Sequence, residues 1–382
     1  METTSYKNFP IQEFIDEYET AKAKIDNLQR CTKCVLPETF PFIKFDEDGV
    51  CNFCHHYENK HFLGTEVLDK ELKKYKEPDG SIKCVVSFSG GRDSSYALHY
   101  VKKELGLDAV AFTYDWGVAT DIAKRNQARM CEKLGVEQII IKGNLDKKIA
   151  NIRANLKAWL KKPDLGTIPL LTSVGQQFFY YVNQVAKRLD RDLIIVGGTP
   201  FEYTYFKAGF SGVKPHFEDP DTSLFKKLKI GFSYLENSIK NPAYINRSFF
   251  DAMGGYLSFY LIPHDYLRLY DYIVWNEETV NNTLINEYDW ETSPETHSTW
   301  RIDDGTVPLS DYMYYMMSGL TISDTFRSNQ IREGRITREK ALELLEKDNA
   351  PRFNSIQWYC EKVGVDFETV VRTINNALRL YS

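Results

Sequence analysis

No apolar run in the 382 residues approaches the length of a membrane span, and the opening METTSYKNFP lacks the charged-then-apolar pattern of an export signal. These two absences lead to the expectation of a cytoplasmic protein. An excess of basic residues is missing too. The 48 Lys and Arg are outnumbered by 53 Asp and Glu, for a formal net charge of -5 and a pI near 5.9. A broad nucleic-acid footprint needs clustered cations, so none is expected here. There is no low-complexity segment and no internal repeat. A disulfide-forming context is not indicated either, so clustered cysteines read as metal ligands or catalytic groups. Four of the seven cysteines cluster; Cys84, Cys131 and Cys360 lie singly within expected elements and are read as small buried hydrophobes.

What remains is a chain with enough apolar residues, 43%, for a sizeable core and enough length for two or three domains. Residues 1–30 read as a helical lead-in, with Phe14, Ile15, Tyr18 and Ala21 at helical spacing. Residues 31–60 form a cysteine-bounded module, and 80–215 alternate strands with helices. The strands are IKCVVSF, AVAFTYD, EQIIIK and DLIIVGG, and the helices between them stop at Gly106 and Gly135. That alternation predicts an open parallel α/β sheet, with ligands beyond the carboxyl ends of its strands. Residues 200–300 are aromatic and irregular, and the region 216–382 is expected to be mainly helical and to serve the substrate or a partner.

The stretch Phe88-Ser89-Gly90-Gly91-Arg92-Asp93-Ser94-Ser95 follows a strand and opens a helix. Two glycines let backbone approach anionic oxygens closely, and the helix start offers unpaired N–H groups. The Walker spacing and its lysine are both missing, so this is a different phosphate loop. A second constellation is Cys31-x-x-Cys34 and Cys51-x-x-Cys54 across a 16-residue spacer. Four thiolates at that spacing suit a closed tetrahedral site, expected to hold structural Zn2+; an iron–sulfur cluster on the same ligands is the rival. His55 and His56 are read as surface residues.

SGGRDSS resembles the pyrophosphate loop of the ATP pyrophosphatases, which include GMP synthetase, asparagine synthetase, NAD synthetase and the tRNA thiolases. The resemblance implies an adenine-nucleotide-α-hydrolase-like sheet that splits ATP, with Mg2+, to AMP and pyrophosphate. Ser89, Gly90, Gly91, Asp93 and Ser94 would cradle pyrophosphate, with Asp93 and Ser94 closest to the catalysis and Phe88 and Ser95 flanking. Thr113 and Asp115 would lie beside the adenosine, and Gly197 and Gly198 beside the ribose and α-phosphate. Relatives place an acidic residue near that last turn, and Glu202 is the nearest here.

The order CTKC, CNFC, SGGRDSS, Gly175-Gln176, WETSPETHSTWR and IREGRITREKAL is similar to the N-acetyl sugar amidotransferase family of surface-polysaccharide, flagellar-glycan and nonulosonic-acid pathways. That resemblance implies conversion of a sugar acetamido group to an acetamidino group. Ammonia would come from a separate glutaminase subunit, delivered through a barrel subunit like that of imidazole glycerol phosphate synthase. His297, Arg301, Arg332 and Arg335 are the candidates to hold a sugar carboxylate or diphosphate, since guanidinium forks bind such groups in pairs of hydrogen bonds. A tRNA thiolase shares the loop and metal ribbon and is the rival function; it needs a reactive cysteine or a cluster near the loop, and a basic surface for RNA.

Overall fold

The computed structural model describes residues 10–202, 204–215, 217, 231–232, 235–236, 238–262 and 264–381. The first residues of the lead-in and much of 216–230 lie outside that set. Five strands form one parallel sheet: β1 (Lys83–Ser87), β2 (Asp108–Asp115), β3 (Gln138–Lys142), β4 (Leu193–Val196) and β5 (Leu267–Arg268), in the order β3-β2-β1-β4-β5. The first four are the strands the hydrophobic runs predict. The fifth comes from the aromatic stretch and contributes only two residues, too short to carry a periodic signal.

Both faces of the sheet are covered, as parallel strands require. Val85, Phe112 and Ile194 pack on helix residues Val182, Val185 and Ala186, while Cys84, Val86 and Ile195 face Ala97 and Leu98. The helices used below are α1 (Ile11–Ile25), α2 (Arg92–His99), α3 (Asp121–Leu134), α4 (Leu145–Lys161), α5 (Phe178–Arg188), α6 (Phe249–Leu261), α7 (Glu277–Tyr288), α8 (Val307–Ser318), α9 (Ile322–Arg332), α10 (Arg338–Asp348), α11 (Phe353–Val363) and α12 (Phe367–Asn375). Gly106 and Gly135 adopt left-handed φ of 63° and 60°, closing the turns after α2 and α3 as expected.

The fold is thus an open parallel α/β sheet with a four-cysteine module before it and a mainly helical region after it. The two flanks also meet. Tyr18 of α1 stacks on Tyr315 of α8, Phe14 packs edge-on against Phe367 of α12, and Arg372 pairs with Glu13. One apolar core therefore runs from α1 through the sheet to α12. The aromatic stretch divides in two. Phe201, Phe206, Tyr270 and Trp275 are buried, whereas Phe232 and Phe250 are exposed.

Candidate functional site

The order of strands reverses between β1 and β4, and at such a switch point the connections diverge to leave a crevice at the carboxyl ends. The Phe88–Ser95 loop lies there. Its carbonyls are taken from behind: Thr113 donates to Phe88 O, Gln127 Nε2 to Ser89 O at 2.7 Å, and Trp290 Nε1 to Gly90 O at 3.3 Å. Ser94 Oγ braces the turn from inside, 3.0 Å from Ser89 Oγ and 3.2 Å from Gly91 O. The amides of Phe88, Ser89, Gly91 and Ser95 donate to Phe112 O, Ser94 Oγ, Ser89 Oγ and Gly91 O, so the amides that the turn and the start of α2 offer an anion are those of Gly90, Arg92, Asp93 and Ser94.

Gly90 has φ +83°, and a Cβ there would lie inside van der Waals contact of the Ala123 carbonyl. The backbone cannot yield cheaply at that point. Gly90→Ala is expected to cost about 1–3 kcal/mol in strain alone, read by thermal denaturation, and to weaken ATP binding at the same time.

Asp93 faces inward. Its Oδ1 accepts from Arg92 Nε and Trp275 Nε1, each at 2.9 Å, and Tyr270 donates to its carbonyl. Arg92, the variable residue of the loop motif, is 1% exposed and also pairs with Glu277 at 2.8 Å and with Thr299. Glu277 passes the alternation to Arg327, which pairs with Asp348 at 2.9 Å. Burial would push the Glu277 carboxyl up, but the guanidiniums of Arg92 and Arg327 on either side hold it below the ordinary range.

Across the loop runs the strap 299–306. A Cβ on Gly91 would come within 2.6–2.8 Å of the Asp303 carboxyl group, which hydrogen-bonds Ser89 and is pushed up by burial. Trp300 Nε1 donates to Glu202 at 3.1 Å, and Arg301 reaches Glu202 at 3.5 Å from a left-handed φ of 52°. Burial pushes the Glu202 carboxyl up, against the pull of Arg301. Next to them Lys207 is pushed down to about 8, by burial first and then by Arg301, and Asp311 is pushed up to about 6 by burial. Gly91, Asp303, Glu202, Arg301, Lys207 and Asp311 thus form one polar run leading away from the loop.

The other residues singled out from sequence fall as follows. Thr113 is buried behind the loop, and Asp115 Oδ1 caps Gly117 N. Gly197 is a packing glycine, since a Cβ there would meet Ala97 Cβ at 2.6 Å and Asp93 O at 2.9 Å; Gly198 faces open space. His297 is exposed. Arg301 stands at the crevice, but Arg332 and Arg335 do not join it: Arg332 lies on the cysteine sulfurs, and Arg335 is over the Phe62 ring. Asp303, Lys207, Trp275 and Trp290 had no local pattern to mark them. Of these, Trp290 opens the WETSPETHSTWR segment and Asp303 lies two residues beyond it, whereas Lys207 and Trp275 carried no hint.

The four cysteines form a second site. Cys31, Cys34, Cys51 and Cys54 are buried, with all four sulfurs within 4.8 Å of one another. The Cys31–Cys54 and Cys34–Cys51 sulfurs are 3.9 and 3.8 Å apart. Antiparallel bridges Arg30–Pro37 and Phe45–Cys51 hold the two knuckles, and Cys34 N and Cys51 N both point at the Cys31 sulfur. Four buried thiols whose sulfurs converge this closely, with no other side chain between them, form a donor set that fits a bound metal.

No protein-family profile matches the chain, and no curated protein does. Among solved structures it is similar to the U34-tRNA thiolase NcsA from Methanococcus maripaludis with its [4Fe-4S] cluster, at 15% identity over 88% of each chain and a TM-score of 0.31. A likeness that slight carries no functional argument. No described helix is long and apolar enough to cross a membrane.

Proposed function

We propose that the chain is an ATP-dependent amidotransferase that converts an acetamido group of an N-acetyl sugar to an acetamidino group, releasing AMP and pyrophosphate. The observation that carries the ATP part is the Phe88–Ser95 turn at the switch point of the sheet, whose carbonyls are occupied from behind while the amides of Gly90, Arg92, Asp93 and Ser94 remain to meet an anion. In the proposed reaction the acetamido oxygen attacks the α-phosphorus, the α–β phosphoanhydride bond breaks, and pyrophosphate leaves from the loop. Ammonia then adds to the activated carbon, the C–O bond breaks, and AMP departs with the former amide oxygen; the protons ammonia sheds go to solvent or a neighbouring base. Mg2+ carried with the nucleotide would neutralise the charge that moves onto pyrophosphate. Asp303, against Gly91, and Glu202, beside Arg301, are the carboxylates proposed to face it.

The acceptor is proposed to lie along Arg301 and Lys207, whose charges suit a sugar carboxylate or diphosphate, with His297 at the rim. Displacement by ammonia is preferred over sulfur because the single thiols are poor sulfur carriers: burial pushes Cys84 and Cys360 up to about 12 and Cys131 up to about 11. Ammonia is proposed to come from a separate glutaminase, through a barrel subunit. The exposed apolar side chains Phe250, Leu257 and Leu261 along α6 support a subunit interface.

The proposed metal is one Zn2+. Tetrahedral bonds of about 2.3 Å place sulfurs roughly 3.8 Å apart, which matches the 3.8 and 3.9 Å separations here. A cube of four irons interposes a metal–metal edge between each pair of thiolates and would spread them beyond 4.8 Å. Metal analysis of anaerobically purified protein tests this point, with iron and sulfide counting against it.

Mass spectrometry tests the activity. With ATP, ammonium and an N-acetyl sugar carrying a carboxylate or diphosphate, the expected product is about one mass unit lighter than the amide, with AMP and pyrophosphate formed in equal amounts. In a parallel reaction with sulfide and tRNA in place of ammonium and sugar, exchange of oxygen for sulfur would add roughly sixteen units and support the thiolase reading. Stoichiometric ADP would remove both.

A further inference from the structure

The cysteine module is clasped by α9 and the turn after it. Arg30 pairs with Asp324 at 2.7 Å, Val35 N donates to Ser328 Oγ, and Tyr57 donates to Glu333 at 2.7 Å. Arg338 Nε donates to the carbonyls of Cys31 and Cys34, at 3.1 and 2.9 Å, fixing the first knuckle. Among these contacts one side chain touches the sulfurs themselves. Arg332 Nε lies 3.3 Å from Cys54 Sγ, and its Nη2 lies 3.3 Å from Cys34 Sγ and 3.9 Å from Cys51 Sγ. Its third nitrogen, Nη1, donates to Asn329 Oδ1 at 2.9 Å, and the guanidinium is over the Tyr57 ring.

A divalent ion in four thiolates leaves two negative charges in a site with almost no solvent. Buried charge that lacks a counter-ion is expensive, and groups that hydrogen-bond metal ligands set both their orientation and their donor strength. A planar fork aimed at three of the four sulfurs answers both needs at once; an ammonium could reach one sulfur at a time.

We propose that Arg332 belongs to the metal centre: it is the positioning residue that neutralises the tetrathiolate and tunes its sulfurs by N–H···S hydrogen bonds. The inference rests on the reading of the four cysteines as a metal site. Arg332 also links that centre to the crevice, because Asn329, which accepts from Arg332, donates to the carbonyl of Phe201 beside Glu202 at 2.9 Å.

The test compares the full chain with Arg332→Gln and Arg332→Lys, each loaded with Zn2+ or Co2+. Competition against a chromophoric chelator is expected to show Zn2+ affinity falling about 10–100-fold in Arg332→Gln, the range found when partners of metal ligands are removed. Arg332→Lys keeps the charge and should lie between. In the Co2+ form, thiolate lone pairs freed from hydrogen bonds are easier to ionise, so the sulfur-to-cobalt charge-transfer band of Arg332→Gln is expected at lower energy than in the parent. If Arg332→Gln folds too poorly to load, the Arg332→Lys pair of readings decides alone. Parent-like affinity overturns the inference, as does weakened affinity with an unmoved band, which would mean packing only. A parent chain that binds no metal would instead refute the metal site itself.

Discussion

The Cys34→Ser protein is expected to lose its metal and to unfold far below the parent temperature. All four sulfurs are buried within the continuous core and the module packs on α9 and the start of α10, so the ion would hold together distant parts of the chain. Structural zinc in small modules contributes about 10–16 kcal/mol of apparent binding energy at neutral pH, and that energy is folding energy. Net stabilities of whole proteins are only about 5–15 kcal/mol. Losing one of four thiolates need remove only part of the binding energy to threaten the fold. Chelator treatment of the parent should mimic the substitution, with metal content and calorimetric Tm falling together. Acid should do the same, because thiolates must be deprotonated to bind. A Cys34→Ser protein that melts like the parent would contradict a structural metal.

Arg92→Met is expected to destabilise by about 3 kcal/mol, near the low end of the range for a broken buried pair. Arg92 is the hub of a charge chain running Asp93, Arg92, Glu277, Arg327, Asp348, and its side chain is fully buried. Removing it leaves Asp93 with the Trp275 indole, and Glu277 with Arg327 and Gln330. The low end applies because the Glu277 side chain keeps 24% exposure and can regain some water. The second substitution Asp93→Asn should recover part of the loss, since it removes the buried carboxylate that Arg92→Met leaves without a cation. The parent should also show acid sensitivity from this chain. The Glu277 carboxyl is held below its unfolded value, so its contribution is present at neutral pH and is lost as pH falls through that depressed value. Urea titrations of the single and double variants measure the effect; a neutral Arg92→Met would show that the chain carries no net stability.

Local chemistry was the legible part of this sequence. The four long strands, the glycine stops and the strand–loop–helix passage at Phe88–Ser95 each depend on a few adjacent residues, and each is present as read. The two C-x-x-C knuckles were equally local, and their four sulfurs do meet. What could not be read depends on distance along the chain. Asp303 reaches Gly91 across some two hundred residues, and Arg332 reaches sulfurs in the first sixty. A basic run such as IREGRITREKAL has the same appearance whether its arginines bind a substrate or a metal centre; only the packing of α9 and the start of α10 on the knuckles separates the two. The Gly197-Gly198 pair shows a finer limit, because one glycine makes room for α2 and the other faces open space.

The central claim is that the turn from Phe88 to Ser95 grips the phosphates that leave ATP. A crystal structure of the chain with Mg2+ and α,β-methylene ATP, whose blocked bond preserves the ground state, tests it directly. The β- and γ-phosphate oxygens are expected within hydrogen-bond distance of the amides of Gly90, Arg92, Asp93 and Ser94, with Asp303 displaced from Gly91 or turned to the cation. A nucleotide bound elsewhere, with Asp303 still closed on an empty turn, would contradict it.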